Sequence, residues 1–111
     1  MSMSNDKIGQ LLAQVSLADA MPQNTVASYQ IGEGSMQVVL HIGETVTFKV
    51  HGDPYLIAMM KWLQQQLIIG EHQQLRALTM VEMTEMFALP EHKQKNALLI
   101  LQLIDKIYAK S

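Results

Sequence analysis

Residues 36 to 54 read MQVVLHIGETVTFKVHGDP, and the spacing of their apolar side chains changes along the segment. Apolar and polar residues alternate over 36–42 and again over 46–50, which predicts two antiparallel strands joined near Gly43 and Glu44. With a two-residue loop, the two apolar sets would face opposite sides of the strand pair. We therefore predict a three-residue connection, or a bulge at Gly43, that gives both strands one common apolar face.

A helix is predicted directly after this hairpin. Asp53 is a favoured N-cap residue, and Pro54 suits the first helical position. Apolar residues then recur at helical spacing as far as Gly70, a residue type that commonly ends helices. The apolar stripe consists of Leu56, Ile57, Met60, Leu63 and Leu67.

Two elements are predicted before the hairpin. Residues from about 6 to 20 have helical apolar spacing, which predicts an amphipathic helix with Ser4 or Asn5 as its N-cap. Residues 25–31 carry β-branched and aromatic side chains and precede Gly32-Glu33-Gly34. That pattern predicts a strand followed by a turn.

Further helices are predicted after Gly70. Thr79 and Glu82 have the spacing of a capping box, which predicts a short helix to about Phe87. Residues 91–110 contain neither Gly nor Pro and have an apolar face, which predicts a long closing helix. Strands that precede a group of helices are typical of an α+β fold, here a small antiparallel sheet of about three strands with helices packed on one face.

Length and composition predict one folded domain over residues 1–111. Hydrophobic residues make up 49% of the chain, and a chain of this size can bury one core. The net charge is −2 and the basic residues are scattered singly, so no nucleic-acid partner is expected. Long apolar runs and signal-peptide features are absent from the sequence, so we expect a cytoplasmic protein without a membrane partner.

The residue types also limit the chemistry. Cysteine is absent, which excludes disulfides, thiol nucleophiles and thiolate-held metal centres formed by this chain alone. His51 and Asp53 flank Gly52 at the strand-to-helix junction, where such a pair could hold a metal ion or act as a base. A plain N-cap role for Asp53 explains the same pattern and is favoured. Because no serine lies in a nucleophile motif either, we expect no enzymatic activity.

A surface for a partner is suggested by composition. The chain has 9 methionines, and charged residues are only 16% of it. Methionine is a soft apolar side chain that is over-used at adaptable binding surfaces. An exposed patch that includes Met59, Met80 or Met83 would indicate a module that binds a protein or a peptide.

Three stretches resemble one known family. Residues 87–96 read FALPEHKQKN, and they resemble Leu-Ala-Leu-Pro-Pro-Val-Lys-Ile-His-Cys, which precedes the closing helix in the IscU/NifU N-terminal family of iron–sulfur cluster assembly scaffolds. Residues 46–52, VTFKVHG, are similar to that family's Ala-Arg-Phe-Lys-Thr-Tyr/Phe-Gly, and Gly34-Ser35 is similar to the end of its Ala-Cys-Gly-Asp. The resemblance covers roughly residues 32 to 110 and implies the fold that IscU shares with the SufE proteins.

The resemblance implies a degenerate cluster site. The positions of the three cluster-ligating cysteines are filled by Glu33, Asp53 and Asn96. Gly34 is the alternative at the first position, and Ser35 and Lys95 replace the family's Asp and His beside two of the ligands. Thiolates hold iron because they are soft, charged donors, whereas carboxylates are hard and an amide is a poor iron ligand.

We therefore expect no cofactor, and an iron–sulfur cluster or iron is implied by the family alone. Weak binding of Fe²⁺ or another divalent ion at Asp53, Glu33 and His51 stays open.

The resemblance also implies partners. It indicates a non-enzymatic protein that holds no cluster itself and acts by binding iron–sulfur assembly components, such as a cysteine desulfurase, a scaffold or a chaperone. The family's chaperone-recognition motif is half kept as Leu89, Pro90 and Lys93. A homo-oligomer is also compatible with the sequence. The alternative is a protein- or peptide-binding module on the same fold with no iron–sulfur role.

Overall fold

The computed structural model describes residues 7–109, which form three strands and five α-helices. In chain order the elements are α1 (Lys7–Gln14), a first 3₁₀ turn (Leu17–Ala20), β1 (Ala27–Glu33), β2 (Met36–Ile42), β3 (Val46–His51), α2 (Pro54–Ile69), α3 (His72–Arg76), α4 (Met80–Phe87), a second 3₁₀ turn (Glu91–Lys93) and α5 (Gln94–Tyr108). The strands form one antiparallel sheet in the order β1-β2-β3. The predicted α+β class with a three-stranded sheet is confirmed.

The connection between β2 and β3 has the predicted odd length. Ile42 lies opposite Val46, and Leu40 lies opposite Phe48. Residues 43–45 therefore form a three-residue loop, and the apolar side chains of both strands share one face of the sheet.

The turn between β1 and β2 is shorter than predicted. Glu33 belongs to β1 and pairs with Met36, so the turn consists of Gly34 and Ser35 and does not begin at Gly32. Gly34 has a φ of 60°, a left-handed conformation that glycine adopts without a steric penalty.

The single helix predicted over about 6 to 20 is wrong, because the chain breaks after Gln14. Ser16 has extended backbone angles, and its N–H donates a hydrogen bond to Asp19 Oδ2 at 3.0 Å. This local bond starts a separate 3₁₀ turn in place of a continued helix. The predicted N-caps Ser4 and Asn5 lie outside the described residues, as does Lys110 at the predicted end of the closing helix.

The predicted ends of α2 and the start of α4 are confirmed. Asp53 caps α2, and Gly70 follows its last residue with a φ of 89°. Thr79 and Glu82 form the capping box of α4. The short helix α3 was not predicted, because its five residues are polar except for the buried Leu75.

The core lies between one face of the sheet and the helices. Val38, Leu40 and Phe48 on that face belong to one buried cluster with residues of α2 and α5, whereas Gln30 and Lys49 on the opposite face are exposed. Within the part of the chain that the structure describes, no helix combines the length and apolar character needed to cross a membrane.

Candidate functional site

The most highly connected polar group among the predicted site residues is the carboxylate of Asp53, at the junction between β3 and α2. Its Oδ1 accepts hydrogen bonds from the Leu56 N–H at 3.0 Å and from Asn96 Nδ2 at 2.8 Å. Its Oδ2 accepts one from Lys93 Nζ at 2.5 Å. We call Asp53, Lys93 and Asn96 the Asp53 cluster.

Two consecutive elements supply the partners of Asp53. Lys93 ends the second 3₁₀ turn, and Asn96 lies in the first turn of α5. Asn96 is completely buried, and its Oδ1 has no hydrogen-bond partner. The ammonium of Lys93 also lies 5.7 Å from the centre of the Tyr55 ring, within the range of a cation–π interaction.

The partners of Asp53 favour its charged form. Burial by itself raises the pKa of Asp53, but the hydrogen bonds from Lys93 and Asn96, together with the positive charge of Lys93, hold the pKa below its ordinary value of 3.8. The carboxylate is therefore ionised near neutral pH, and its charge is matched by Lys93. This electrostatic arrangement does not suit proton transfer near neutral pH.

The structure brings together two of the three positions equated with family ligands. Asp53 and Asn96 are in direct contact. Glu33 and Ser35 lie at the turn between β1 and β2, exposed to solvent. This turn lies at the same end of the sheet as Asp53, because β2 begins beside the end of β3, with Gln37 opposite His51.

Among the described residues, Glu33 nevertheless makes no hydrogen bond or ion pair with Asp53 or Asn96. The backbones of β1 and β3 are two strand spacings apart, which is about 10 Å.

The predicted metal residues do not converge on a cation. Among residues 7–109, no group of three or more His, Asp or Glu side chains could hold a metal ion. Both carboxylate oxygens of Asp53 already accept hydrogen bonds, and an ammonium group occupies the position beside Oδ2. Glu33, Asp53 and His51 therefore do not form a ready cation site in this conformation.

The predicted chaperone-binding residues are only partly accessible. Leu89 is buried in the core, Pro90 is half-buried, and Lys93 is engaged with Asp53. Lys95, the neighbour of Asn96, is exposed on α5. Of the three residues, Pro90 and Lys93 keep some surface exposed to solvent.

The three methionines singled out in the sequence form little of the described surface. Met59 and Met83 are completely buried, and Met80 is half-buried against the core. Their helical spacing places them in packing positions, where methionine fills irregular space.

A second polar network was missed in the sequence. Asp19 accepts hydrogen bonds from Lys61 Nζ at 3.0 and 3.2 Å and from Gln64 Nε2 at 2.9 Å. Gln64 Nε2 also donates to the Val46 carbonyl at 2.7 Å. These contacts join the first 3₁₀ turn to α2 and β3. The one sequence feature that points to this network is the three-residue spacing of Ser16 and Asp19, which is typical of a helix cap.

Comparison of the chain with models of protein families and with curated proteins gives no match in either case.

Proposed function

We propose that this protein is a non-enzymatic relative of the IscU/NifU scaffolds that holds no cluster and acts in iron–sulfur assembly by binding other components. One observation carries the proposal. Asp53 and Asn96, which the resemblance equates with two ligating cysteines, are 43 residues apart in sequence, and their side chains meet at 2.8 Å. Cluster ligands have to converge in this way if a scaffold is to hold iron.

The order of elements also supports an IscU/SufE-like fold. An initial helix, three antiparallel strands and a group of helices follow one another. The turn at Glu33 and the capping residue Asp53 lie at one end of the sheet, and α5 brings Asn96 to the same place. All three positions of the resemblance are therefore on one side of the molecule.

The chemistry of the Asp53 cluster favours a role without a cluster. The oxygens of Asp53 accept three hydrogen bonds, and Lys93 supplies the positive charge that a metal would otherwise bring. An internal ion pair and a buried amide thus fill the space where ligands would be needed. The proposal includes a cytoplasmic location, where the thiols of such partners stay reduced.

Anaerobic reconstitution with ferrous iron and sulfide tests the geometry. The unmodified protein should bind no cluster, whereas the triple variant Glu33→Cys, Asp53→Cys and Asn96→Cys should gain the visible absorbance and bound iron of one. A matched variant carries cysteines at exposed positions on three different helices: Gln10→Cys on α1, Glu85→Cys on α4 and Asp105→Cys on α5. It should gain neither signal, and circular dichroism should confirm that both variants are folded.

Capture experiments test the role itself. Immobilised unmodified protein should retain a purified cysteine desulfurase, scaffold or chaperone of the iron–sulfur assembly system from the same cell. A stable cluster on the unmodified protein would contradict the proposal, and so would failure to retain any of the three components.

A further inference from the structure

The outer strand β3 leaves part of its backbone without a partner. The Val46 carbonyl accepts its hydrogen bond from Gln64 on α2, so it points away from β2. In an antiparallel pair, every second residue directs its N–H and C=O to the same side. Phe48 and Val50 therefore also direct their backbone groups away from β2, toward the free edge of the sheet.

Each edge of the sheet is covered in part among the described residues. On β3, Gln64 reaches the Val46 carbonyl, and the first 3₁₀ turn packs beside this end of the strand. On β1, Lys106 Nζ donates a hydrogen bond to the Gln30 carbonyl at 2.8 Å and so covers part of that edge. Within the described part of the chain, no hydrogen bond from a neighbouring element reaches the backbone of Phe48 or Val50. Unpaired groups of this kind are a template for another strand.

A cavity lies beside residues 48–51 of β3 and extends over the outer face of the sheet, where Gln37 and Val39 of β2 also line it. Its volume is about 580 Å³, and residues 48–51 form one wall. The other wall comes from the end of α1 and the first 3₁₀ turn, with Val15, Ser16, Asp19 and Ala20. A four-residue strand occupies roughly 4.8 by 10 by 13 Å, or about 600 Å³, so the cavity has the size of a short extended peptide.

The charges at the cavity select an acidic peptide. Lys49 and His51 line it from the exposed face of the sheet. The ion pairs of the described residues join Lys61 to Asp19 and Lys93 to Asp53, and neither involves Lys49. Asp19 also faces the cavity, but its charge is matched by Lys61, so Lys49 supplies the unmatched charge.

We propose that the free edge of β3 binds an extended peptide segment by antiparallel strand addition. Residues of the peptide that pair with Phe48 and Val50 place apolar side chains on the core side of the sheet. The alternate residues lie beside Lys49 and His51 and are acidic. Strand addition of this kind derives affinity from main-chain hydrogen bonds and specificity from alternate side chains.

This inference is independent of the iron–sulfur role proposed above. None of Asp53, Lys93 and Asn96 lines the cavity. Failure of cluster reconstitution would therefore leave the peptide-binding proposal intact, and failure of peptide binding would leave the iron–sulfur proposal intact.

N-methylated peptides test the strand geometry. The probe is the capped peptide Thr-Val-Glu-Val-Glu-Val-Thr, titrated into the ¹⁵N-labelled full chain. Methylation of the valine nitrogens removes the N–H groups that face β3, whereas methylation of the glutamate nitrogens removes those that point away. The first change should weaken binding at least about tenfold, since two or more hydrogen bonds are lost, and the second should leave affinity within about twofold.

A charge reversal tests the choice of an acidic peptide. Lys49→Glu should weaken binding of the probe about fivefold, and a peptide with Lys in place of Glu should recover it. Lys95→Glu is the matched control, because Lys95 is exposed and lines no part of the cavity. It should leave the affinity unchanged.

Three results would overturn the proposal. The first is the absence of saturable shifts at the Phe48 and Val50 amides up to millimolar peptide. The second is equal binding of the two methylated peptides. The third is concentration-dependent broadening of those amides without peptide, which would assign the edge to a second copy of this chain.

Discussion

The carboxylate of Asp53 satisfies three donors from three parts of the chain: the backbone of α2, the ammonium of Lys93 and the amide of Asn96. Its cap role follows from local sequence, because an Asp before a Pro at the start of an apolar stripe is a strong helix signal. Its other two partners are 40 and 43 residues away in sequence. A local sequence pattern carries no information about contacts this far apart in the chain. The cap role of Asp53 could therefore be predicted, but its contacts with Lys93 and Asn96 could not.

Loss of the Asp53 side chain should destabilise the fold strongly. Asp53→Ala removes an N-cap, which contributes about 1 kcal/mol, and leaves the buried Asn96 amide without an acceptor, which costs about 1 to 3 kcal/mol more. We expect the free energy of unfolding in urea to fall by about 2 to 4 kcal/mol. Asp105→Ala, at an exposed position on α5, should change it by less than about 0.5 kcal/mol. Equal effects of the two substitutions would contradict this account of the cluster.

Acid should weaken the fold through two aspartates. For Asp19, burial acts to raise the pKa, but hydrogen bonds from Gln64 and Ser16 and the nearby Lys61 hold that pKa below 3.8. The pKa of Asp53 is lowered in the same direction. A carboxyl whose folded pKa lies below its unfolded value contributes stability that is complete above the unfolded pKa and is lost as pH falls through the folded pKa.

The free energy of unfolding should therefore decrease as pH falls below about 4. Near neutral pH, the double variant Asp19→Asn and Asp53→Asn should be less stable than the unmodified protein. Its free energy of unfolding should also fall less than that of the unmodified protein as the pH is lowered. Denaturant titrations between pH 7 and pH 2 measure both slopes. A parallel pH profile for the two proteins would show that other groups dominate.

At the scale of elements, the first 3₁₀ turn is held by charge in addition to apolar packing. Leu17 is 86% exposed, whereas the side chains of Asp19 and Lys61 are each only 11% exposed. The turn therefore depends on its polar link to α2. The break before it could have been predicted from Ser16 and Asp19, but helical apolar spacing across residues 8–15 masked that local signal.

A double-mutant cycle measures the link between the turn and α2. Removal of one partner from a buried ion pair leaves the other uncompensated, so Asp19→Ala or Lys61→Met alone should lower the free energy of unfolding by about 2 to 4 kcal/mol. The double variant should be less destabilised than the sum of the single ones, because neither charge is then left alone. Additive effects in urea unfolding would show that the pair carries no coupling.

The loop between β2 and β3 depends on the absence of a side chain at Gly43. A Cβ there would clash with the Asn24 carbonyl, on a segment that is hydrogen-bonded to the loop through Gln23 and Glu44. Gly43→Ala should lower the free energy of unfolding by about 1 to 3 kcal/mol, because backbone has to move. The odd loop length was predictable from the phase of the two apolar sets, but this contact was not, since Asn24 lies beyond the strand pair.

Gly34→Asn is the control for that substitution. Gly34 has a left-handed conformation that Asn tolerates, and a Cβ there meets no atom within 4 Å. Because the left-handed backbone carries some strain even for Asn, this substitution should lower the free energy of unfolding by about 1 kcal/mol or less. A larger loss at Gly34 than at Gly43 would contradict the steric explanation.

At the scale of the whole molecule, the sheet has one face covered by helices, and each of its two edges receives one side-chain hydrogen bond among the described residues. The strands and their shared apolar face could be predicted, because alternation and loop parity are local properties. Which backbone groups at the two edges find a partner depends on where α2 and α5 place Gln64 and Lys106, and no local pattern specifies that. The same holds for the candidate sites. The Asp53 position could be predicted from local sequence, whereas the cavity beside β3 could not.

Amide hydrogen exchange along β3 should distinguish the N–H groups that pair with β2 from those that do not. Thr47, Lys49 and His51 direct their N–H groups to β2, so their exchange should be slow and governed by opening of the sheet. Phe48 and Val50 point to the open edge, and their amides should exchange at least about tenfold faster despite the buried Phe48 side chain. Exchange followed by NMR in the unliganded full chain gives each rate separately. Equal protection at Lys49 and Val50 would mean that the edge of β3 is already occupied, because side-chain burial alone supplies no acceptor for the Val50 N–H.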